Sequence, residues 1–314
     1  MSKTPQEKRI IKRQQLIERT SVALGISNDE AAALLRTERH QSVRINTLSP
    51  PAEMPGWLGK NLVWSTEGYE LKLPVADIRD SEPVMSGQVF IQNAASWLPI
   101  IALDPRPEEV ILDVCAAPGG KTSHVAARTN NRAVIWANDN SRARLAKLQA
   151  NMARLTAKVT NYTLFDATQL ARKLDGQQFD KILLDAPCSG EGMMNLKNDK
   201  DFNTWSVAHI KRLQQLQKRI LSQAWQLLRP GGTLVYSTCT IAPEENEAVI
   251  DYLLRSREDV RIQPFDLDLP NRVPPVQEWN GRKFSAETQK CMRLKPSQTI
   301  EAFFVCKLKK NGTL

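Results

Sequence analysis

Residues 109–122 read EVILDVCAAPGGKT, in which a short apolar strand runs into a turn of small residues and a helix follows. A strand, a glycine-rich turn and a helix in this order are typical of the first unit of a doubly wound α/β sheet. Strand-like and helix-like segments then alternate regularly. The further strand-like runs are AVIWAND (133–139), VTNYTLF (159–165), FDKILLDA (179–186), GTLVYSTC (232–239) and TIEAFFVCKL (299–308). Strands this apolar belong in a parallel sheet that helices cover on both faces, so the sequence predicts an α/β fold.

The segment before this sheet has a different pattern. Residues 5–24 and 28–36 are predicted to form two helices, and Ser27 with Glu30 gives the second a capping box. Between residues 42 and 104, Pro and Gly clusters separate short strand-like runs, which indicates a small α+β unit. The strand-like runs there are SVRINTL (42–48), NLVWS (61–65) and YELKL (69–73). We therefore predict two domains, 1–104 and 105–314.

The composition excludes several classes of protein. With 314 residues, 41% of them hydrophobic and 25% charged, the chain resembles an ordinary globular protein and not a disordered, collagen-like or disulfide-stapled one. No apolar run approaches the roughly 18–20 residues of a membrane helix, and the N-terminus lacks the apolar core of a signal peptide. The five cysteines are widely spaced, without a C-x-x-C pair. We expect no metal site, no membrane association and a cytoplasmic location.

The charge of the chain points to a polyanionic partner. Lys and Arg number 43 against 34 Asp and Glu, which gives a net charge of +9. Basic residues concentrate at both ends, and RNA-phosphate binding is predicted there. These basic residues are Lys8, Arg9, Lys12 and Arg13 near the N-terminus, and Arg282, Lys283, Lys290, Arg293, Lys295, Lys307, Lys309 and Lys310 near the C-terminus.

The turn after the first strand of the sheet is a candidate ligand site. Its residues are Cys115, Ala116, Ala117, Pro118, Gly119, Gly120 and Lys121. Small residues let a ligand approach the backbone, and the helix that follows offers free N–H groups. The segment matches neither G-x-G-x-x-G nor the P-loop pattern, which disfavours dinucleotides and triphosphates. The alternative is a tight strand–helix turn that binds nothing.

Two acids at strand ends extend this candidate site. Asp139 ends the second strand, 20 residues after Gly119, where an acid commonly accepts hydrogen bonds from ribose hydroxyls. A solvated Asp that caps the helix beginning at Ser141 would give the same pattern. Asp166 ends the third strand, where it is placed to contact an adenine amino group. Together these features favour an adenosyl ligand without a phosphate cradle, and we predict S-adenosyl-L-methionine.

Two cysteines make the prediction more specific. Cys188 follows the fourth strand in LLDAPCSG (183–190), and Cys239 follows the fifth in YSTCT (236–240). Neighbouring parallel strands would bring both thiols to one edge of the sheet, with Asp185 beside them. Free Cys is usually a small buried hydrophobe, and we assign that role to Cys291 and Cys306. Cysteines in Pro-, Ser-, Gly- and Thr-rich loops at strand ends fit that role less well.

These motifs resemble the Nop/Sun (Fmu/Sun) family of RNA cytosine-carbon-5 methyltransferases along nearly the whole chain. The segments that carry the resemblance are VRINTL (43–48), GQVFIQNAAS (87–96), DVCAAPGGKT (113–122), LLDAPCSGEG (183–192), RPGGTLVYSTCT (229–240), PEENE (243–247) and RLKPSQTIEAFFVCKL (293–308). The GEG after Cys188 looks most like the bacterial ribosomal-RNA members. One departure is Ala302-Phe303-Phe304, where the family often has Gly-Phe-Phe.

The resemblance implies the fold, the reaction and the roles of individual residues. It implies a Rossmann-like sheet that uses S-adenosylmethionine and an enzyme acting on rRNA or, next, tRNA. We also expect the N-terminal region to bind RNA and the protein to be monomeric. The cofactor would contact Cys115–Lys121, Asp139, Asp166 and Asp185. Cys239 would be the nucleophile and Cys188 the group that helps to release product, with Asp185 placed to hydrogen-bond the pyrimidine. For Lys121, orientation of an acid and plain solvation remain equally open.

Two other functions are compatible with parts of the pattern. A non-catalytic RNA-binding ribosome-assembly factor could keep the same fold, but it would have no use for two strand-end thiols. A methyltransferase acting on another atom is also conceivable. Adenine-nitrogen enzymes tend to carry Asn/Asp-Pro-Pro-aromatic at the end of the fourth strand, and Ala186-Pro187-Cys188-Ser189 is different.

Overall fold

The computed structural model describes residues 4–312. Its helices are α1 (Pro5–Leu24), α2 (Asn28–Leu34), α3 (Val75–Ile78), α4 (Glu82–Met85), α5 (Leu98–Leu103), α6 (Gly120–Arg128), α7 (Arg142–Arg154), α8 (Leu170–Lys173), α9 (Val207–Leu227) and α10 (Glu247–Ser256). The strands are β1 (Ser42–Ile45), β2 (Leu58–Asn61), β3 (Gly68–Leu71), β4 (Val89–Ile91), β5 (Val110–Asp113), β6 (Val134–Asn138), β7 (Asn161–Thr163), β8 (Phe179–Asp185), β9 (Leu228–Thr238), β10 (Val260–Gln263), β11 (Arg272–Val273), β12 (Glu278–Trp279), β13 (Arg282–Lys283), β14 (Met292–Leu294) and β15 (Phe303–Lys310).

A large mixed sheet forms the centre of the molecule. Its strand order is β11-β14-β15-β9-β8-β5-β6-β7, with β10 also paired to β15. The strands β9, β8, β5, β6 and β7 run parallel, and β15 is antiparallel to β9. This is the predicted α/β fold of Rossmann-like type, and the prediction is confirmed. The chain goes from β5 to β6 on one side and later to β8 on the other, so the direction of winding reverses at β5. Open α/β sheets bind ligands at the carboxyl ends of the strands beside such a reversal.

Apolar side chains cover both faces of this sheet. One layer packs α5, α6 and α7 against one face, with Leu183 and Val235 from the strands. The other layer packs α9 and α10 against Leu184 and Tyr236. Successive residues of one strand therefore enter opposite layers, as the pleat requires, and this explains why the strands are apolar on both faces.

A small antiparallel sheet, in the order β2-β3-β1-β4, precedes the central sheet. Its core contains Val43, Ile45, Leu58, Ile78, Val84 and Val89. The prediction of a strand over NLVWS is wrong: β2 ends at Asn61, whose side-chain amide donates to the carbonyls of Ser65 and Gly68 and closes a turn. Val63 is consequently 96% exposed at the tip of this turn. The boundary at residue 104 stays a prediction.

The N-terminal helices pack against the segment that follows β8. Both begin with capping boxes, Thr4–Glu7 and Ser27–Glu30. Leu16 and Leu35 pack with Phe202 and other residues between 194 and 210. The role of the N-terminal basic residues in RNA binding stays a prediction, and three of them also contact this same segment. Arg9 and Arg13 pair with Asp199, and Lys12 donates to the carbonyl of Phe202 at 2.7 Å.

Within residues 4–312, none of the helices is both long and apolar enough to cross a membrane.

Candidate active site

Two thiols lie side by side at the carboxyl edge of the central sheet. The Sγ atoms of Cys188 and Cys239 are 3.4 Å apart. The register explains this proximity, since β8 and β9 are parallel neighbours and Asp185 lies opposite Ser237. Each thiol is half-buried. The hydrogen bond to Cys239 and burial raise the pKa of Cys188 well above its usual range.

An ion pair lies next to the thiols. Lys121 Nζ is 2.8 Å from Asp185 Oδ2, and Ser237 Oγ donates to Asp185 Oδ1 at 2.7 Å. The Lys121 side chain is only 14% exposed, which excludes the solvated role that the sequence left open. Burial lowers the pKa of Lys121, but the Asp185 charge and hydrogen bond outweigh it and Cys239 adds to them, so the pKa is raised. Lys121 therefore stays a cation that faces both Asp185 and Cys239.

A cavity of about 310 Å³ connects the thiols with the two acids predicted at strand ends. Its walls include an apolar part formed by Ala186, Pro187, Leu216 and Ile220. The remaining lining residues are Val114, Cys115, Ala117, Asn138, Asp139, Asn140, Arg144, Asp166, Ala167, Asp185, Cys188 and Cys239. The cavity is thus acidic at one end, apolar along its side and lined by thiols at the other end.

A second cavity, of about 180 Å³, shares Cys115, Ala117 and Asp185 with the first. It extends between the 115–121 turn and the end of β4 with the residues that follow. Its lining adds Phe90, Ile91, Gln92, Ser96, Asp113, Ala116, Pro118, Gly120 and Lys121. Asp113 accepts a 2.7 Å hydrogen bond from Thr122 Oγ1. Burial raises the pKa of Asp113 to about 7, and it also raises the pKa of the Cys115 thiol. Cys115 is therefore protonated and unreactive at neutral pH.

The two acids differ in their exposure and in which of their carboxylate oxygens have partners. Asp139 is 2% exposed, accepts from the backbone N–H of Ser141 at 3.0 Å, and pairs with Arg144 at 3.2 Å. The cap of α7 is Ser141 itself, so the solvated-cap alternative for Asp139 does not describe this carboxylate. Asp166 is exposed, and its Oδ1 accepts from the N–H and the hydroxyl of Thr168. A carboxylate oxygen accepts two hydrogen bonds, so both acids can bind further donors.

Gly119 and Gly120 fit closely packed surroundings. Gly119 has φ +106°, and a Cβ there would lie 2.6 Å from Met152 and 2.7 Å from Leu148. A Cβ on Gly120 would lie 2.9 Å from Gln92 Nε2. The glycines therefore let α6 begin close to α7 and to the N-terminal unit, which fixes the turn that carries Lys121.

Sequence reasoning missed the residues that hold this turn in place. Asn138 donates to the carbonyls of Val114 and Phe165 and so joins the ends of β5, β6 and β7. Arg144 donates to the carbonyl of Ala117 at 2.8 Å. The position of Asn138 directly before Asp139, at the end of a buried strand, was the available signal, since an amide there has backbone groups to satisfy.

The structure divides the predicted C-terminal basic tract. Arg293 is buried in an ion pair with Glu247 at 3.0 Å, and Lys290 pairs with Glu287. Because β15 is antiparallel to β9, Lys309 lies opposite Thr233, while Phe304 lies opposite Thr238 beside the thiols. Lys307, Lys309 and Lys310 are therefore at the sheet edge remote from Cys239, and a continuous RNA-binding tract over 282–310 is not what the fold builds.

Two further cysteines and three tryptophans are core residues. Cys291 and Cys306 are buried in the apolar layer under α9, as predicted. Trp97, Trp205 and Trp279 are buried, whereas Trp57 and Trp64 are half-buried in the N-terminal unit. Among residues 4–312, no three His, Cys, Asp or Glu side chains are grouped so as to hold a metal ion.

Comparisons with known proteins agree with this architecture. A family model described as 16S rRNA methyltransferase RsmB/F matches residues 100–309. The chain is 38% identical to a tRNA (cytosine(49)-C(5))-methyltransferase from Pyrococcus abyssi, over 90% of this chain and 92% of the relative. It is 34% identical to ribosomal RNA small subunit methyltransferase F from Escherichia fergusonii, over 94% of this chain but only 62% of the relative's length.

Solved structures of methyltransferases also resemble this chain. A methyltransferase homologue from Pyrococcus horikoshii superposes with a TM-score of 0.74 at 32% identity, over 94% of this chain and 99% of the other. NSun6 from the same organism, at 23% identity, shares the fold with a TM-score of 0.80, over 95% of this chain and 98% of the other.

Proposed function

The chain belongs to the RsmB/F family of 16S rRNA methyltransferases, and from this premise we propose that it methylates carbon 5 of a cytosine in structured RNA through a covalent adduct with Cys239. One observation gives the main support to the covalent route. Two thiols, 3.4 Å apart, lie beside a cationic Lys121 and open into the cavity that ends at Asp139 and Asp166. A protein that only binds RNA has no need of this arrangement.

The 310 Å³ cavity fits S-adenosylmethionine in size and chemistry. Asp139 would accept hydrogen bonds from the ribose hydroxyls, and Asp166 from the adenine amino group. Pro187, Leu216 and Ile220 would cover the faces of the adenine ring, and the 115–121 turn would bind the methionine end. When bound, this cofactor supplies an electrophilic methyl group on a sulfonium and leaves as the thioether.

Cys239 is the proposed nucleophile. Carbon 5 of cytosine is too weak a nucleophile to accept the methyl group unaided, but addition of the Cys239 thiolate to carbon 6 makes carbon 5 enamine-like. The Sγ–carbon 6 bond forms while the electrons of the 5,6 double bond move to carbon 5. Lys121, paired with Asp185, keeps a positive charge near the place where this addition occurs.

Asp185 and Cys188 complete the set of proposed catalytic residues. Lys121 and Ser237 hold the Asp185 carboxylate at the rim where it can hydrogen-bond the pyrimidine edge. After methylation, a base must take the proton from carbon 5, whereupon the 5,6 double bond re-forms and Cys239 leaves as thiolate. Cys188 lies next to the adduct. Once Cys239 Sγ is bonded to carbon 6, its hydrogen bond and charge no longer raise the pKa of Cys188, so Cys188 can lose its own proton to water and then act as the base, or hold the water that does. The base must leave its stack to enter such a site.

The Asp139→Ala variant is expected to bind S-adenosylmethionine about 10- to 150-fold more weakly, because a charge-assisted hydrogen bond contributes about 1.5–3 kcal/mol. Affinity for RNA should remain unchanged. Isothermal calorimetry measures the first quantity and filter binding the second, with Glu287→Ala, which breaks an exposed ion pair, as the matched control. Cofactor affinity equal to that of the wild type would remove Asp139 from the binding site.

Ribosomal RNA is the substrate we propose first, on the basis of the family that the chain belongs to. Transfer RNA is the second candidate, because the relative named for tRNA matches at higher identity and over 92% of its length. Purified protein with tritiated cofactor should label small-subunit rRNA more strongly than tRNA, and nucleoside mass spectrometry should identify 5-methylcytidine. Labelling of tRNA alone would reverse the order of substrates. A methyl group on any other atom would contradict the proposed reaction.

A further inference from the structure

The segment Pro243–Glu247, PEENE, lies directly behind the two thiols, and the reaction outlined above gives it no role. The Glu245 carboxylate contacts the loop that carries Cys188. Its Oε1 accepts from Ser189 N at 3.0 Å and from Gln217 Nε2 at 2.9 Å, and its Oε2 accepts from Ser189 Oγ. Gln217 Nε2 also donates to the carbonyl of Pro187 at 2.9 Å. Both neighbours of Cys188 in the chain are thus tied to Glu245, directly or through Gln217.

The next side chain does the same for the other thiol. Asn246 Oδ1 accepts from Thr238 Oγ1, and Asn246 Nδ2 donates to the carbonyl of Thr240 at 3.0 Å. Thr238 and Thr240 are the two neighbours of Cys239 in the chain. Glu245 and Asn246 are fully buried, so these hydrogen bonds do not compete with water.

A further hydrogen bond joins the Cys188 loop to the strand end that carries Cys239. Ser189 Oγ and Thr240 Oγ1, which directly follow the two cysteines, are 2.8 Å apart. Thr240 Oγ1 also lies 3.2 Å from Glu191 Oε2, and Trp205 donates to Glu191 Oε1 at 2.9 Å. Behind the segment, Tyr236 donates its hydroxyl proton to the carbonyl of Glu245 at 2.6 Å. The network is anchored on the sheet itself.

We propose that Glu245 and Asn246 form a clamp that sets the separation of the two thiols, Glu245 by holding the Cys188 loop and Asn246 by holding the strand end of Cys239. Both are positioning residues, because they act through the neighbours of the cysteines. The catalytic roles of the two thiols rest on the proposed function. The proposal that Glu245 and Asn246 position these thiols does not depend on it.

Glu245 also adds charge to this region. The pKa of Glu245 is raised to about 7: burial is the largest cause, the Ser189 and Gln217 donors oppose it, and the charge of Glu191 adds to it. Its negative form in turn helps to raise the pKa of Cys188, after the larger effects of Cys239 and burial. The other ionisable groups facing this cluster are Asp185, Glu191, Tyr236 and Lys121.

The test is site-specific alkylation of the folded protein by iodoacetamide without RNA, with Cys188 and Cys239 quantified separately by peptide mass spectrometry between pH 6 and 9. For Glu245→Gln we expect Cys188 to react roughly 3- to 10-fold faster near pH 8, because one unit of pKa changes the thiolate fraction of a mostly protonated thiol about tenfold. For Asn246→Ala we expect a roughly threefold or larger change at Cys239, with a smaller change at Cys188.

The matched control is Glu244→Gln, which removes a carboxylate of the same segment whose partner is Arg19. It should leave the pH profiles of both thiols unchanged. Ser189 is half-buried, so Ser189→Ala removes the link between the Cys188 loop and the strand end of Cys239 in a protein that still folds, and it should also alter Cys188. Melting curves identify any variant that does not fold. If a clamp variant does not fold, the alkylation profile of Ser189→Ala tests the proposal in its place.

Unchanged profiles in Ser189→Ala and in every folded clamp variant would overturn the proposal. Equal acceleration of both thiols in Glu244→Gln and Glu245→Gln would also overturn it, because that result is general loosening. If the wild type fails to methylate RNA, the proposed function falls, but the alkylation result still stands by itself.

Discussion

The Cys239→Ala variant is expected to lose 5-methylcytosine formation by at least ~10³-fold and to form no covalent complex with RNA. The methyl group cannot be accepted at carbon 5 until a thiolate has added to carbon 6, and removal of a catalytic nucleophile typically costs several orders of magnitude. Cys188 lies 3.4 Å away, but burial and the charge of Glu245 still raise its pKa when Cys239 is absent, so it is a poor substitute. Nucleoside mass spectrometry and a denaturing gel of labelled RNA measure the two losses.

The control for this variant is Cys291→Ala, which removes a buried thiol in the apolar layer under α9. Its methylation should match that of the wild type. S-adenosylmethionine binding by Cys239→Ala should also stay near the wild-type value, because Asp139 and Asp166 remain in place. Full methylation by Cys239→Ala would contradict the covalent route at its first step.

The local pattern predicts the fold because each strand is short, apolar on both faces and followed by a helix or turn signal. Cys188 and Cys239 meet because two adjacent parallel strands end in the loops that carry them, and the order of strands in an α/β sheet is nearly fixed by winding rules. Asp185 beside Lys121 follows from the same geometry. The sequence pattern is therefore sufficient to predict which residues meet wherever a site is built from strand ends alone.

Prediction from the sequence fails where contacts between distant parts of the chain determine the local structure or the burial of a residue. NLVWS has the composition of a strand, but the Asn61 amide closes a turn within it. Arg293 carries a charge in a basic stretch, but the fold buries it against Glu247. PEENE resembles an acidic surface segment, yet Glu245, Asn246 and Glu247 are fully buried and each finds its partner on a different element. Partners of this kind cannot be read from spacing.

The Cys188→Ala variant is expected to behave in the opposite way from Cys239→Ala, since it should trap the reaction instead of preventing it. Attack by Cys239 remains possible, but removal of the carbon 5 proton and release of the thiolate become slow. RNA should accumulate as a methylated, denaturant-resistant adduct, visible as a shifted band on a denaturing gel when S-adenosylmethionine is present. Peptide mass spectrometry should locate that adduct on Cys239.

The double variant Cys188→Ala, Cys239→Ala decides the order of the two steps. It should lose the shifted band, because addition precedes release and the nucleophile is absent. An adduct formed by Cys239→Ala and not by Cys188→Ala would exchange the two roles, so that the thiol after β8 attacks and the one after β9 assists. Wild-type methylation by both single variants would make the thiols packing residues. The 3.4 Å contact would then be a consequence of strand order alone.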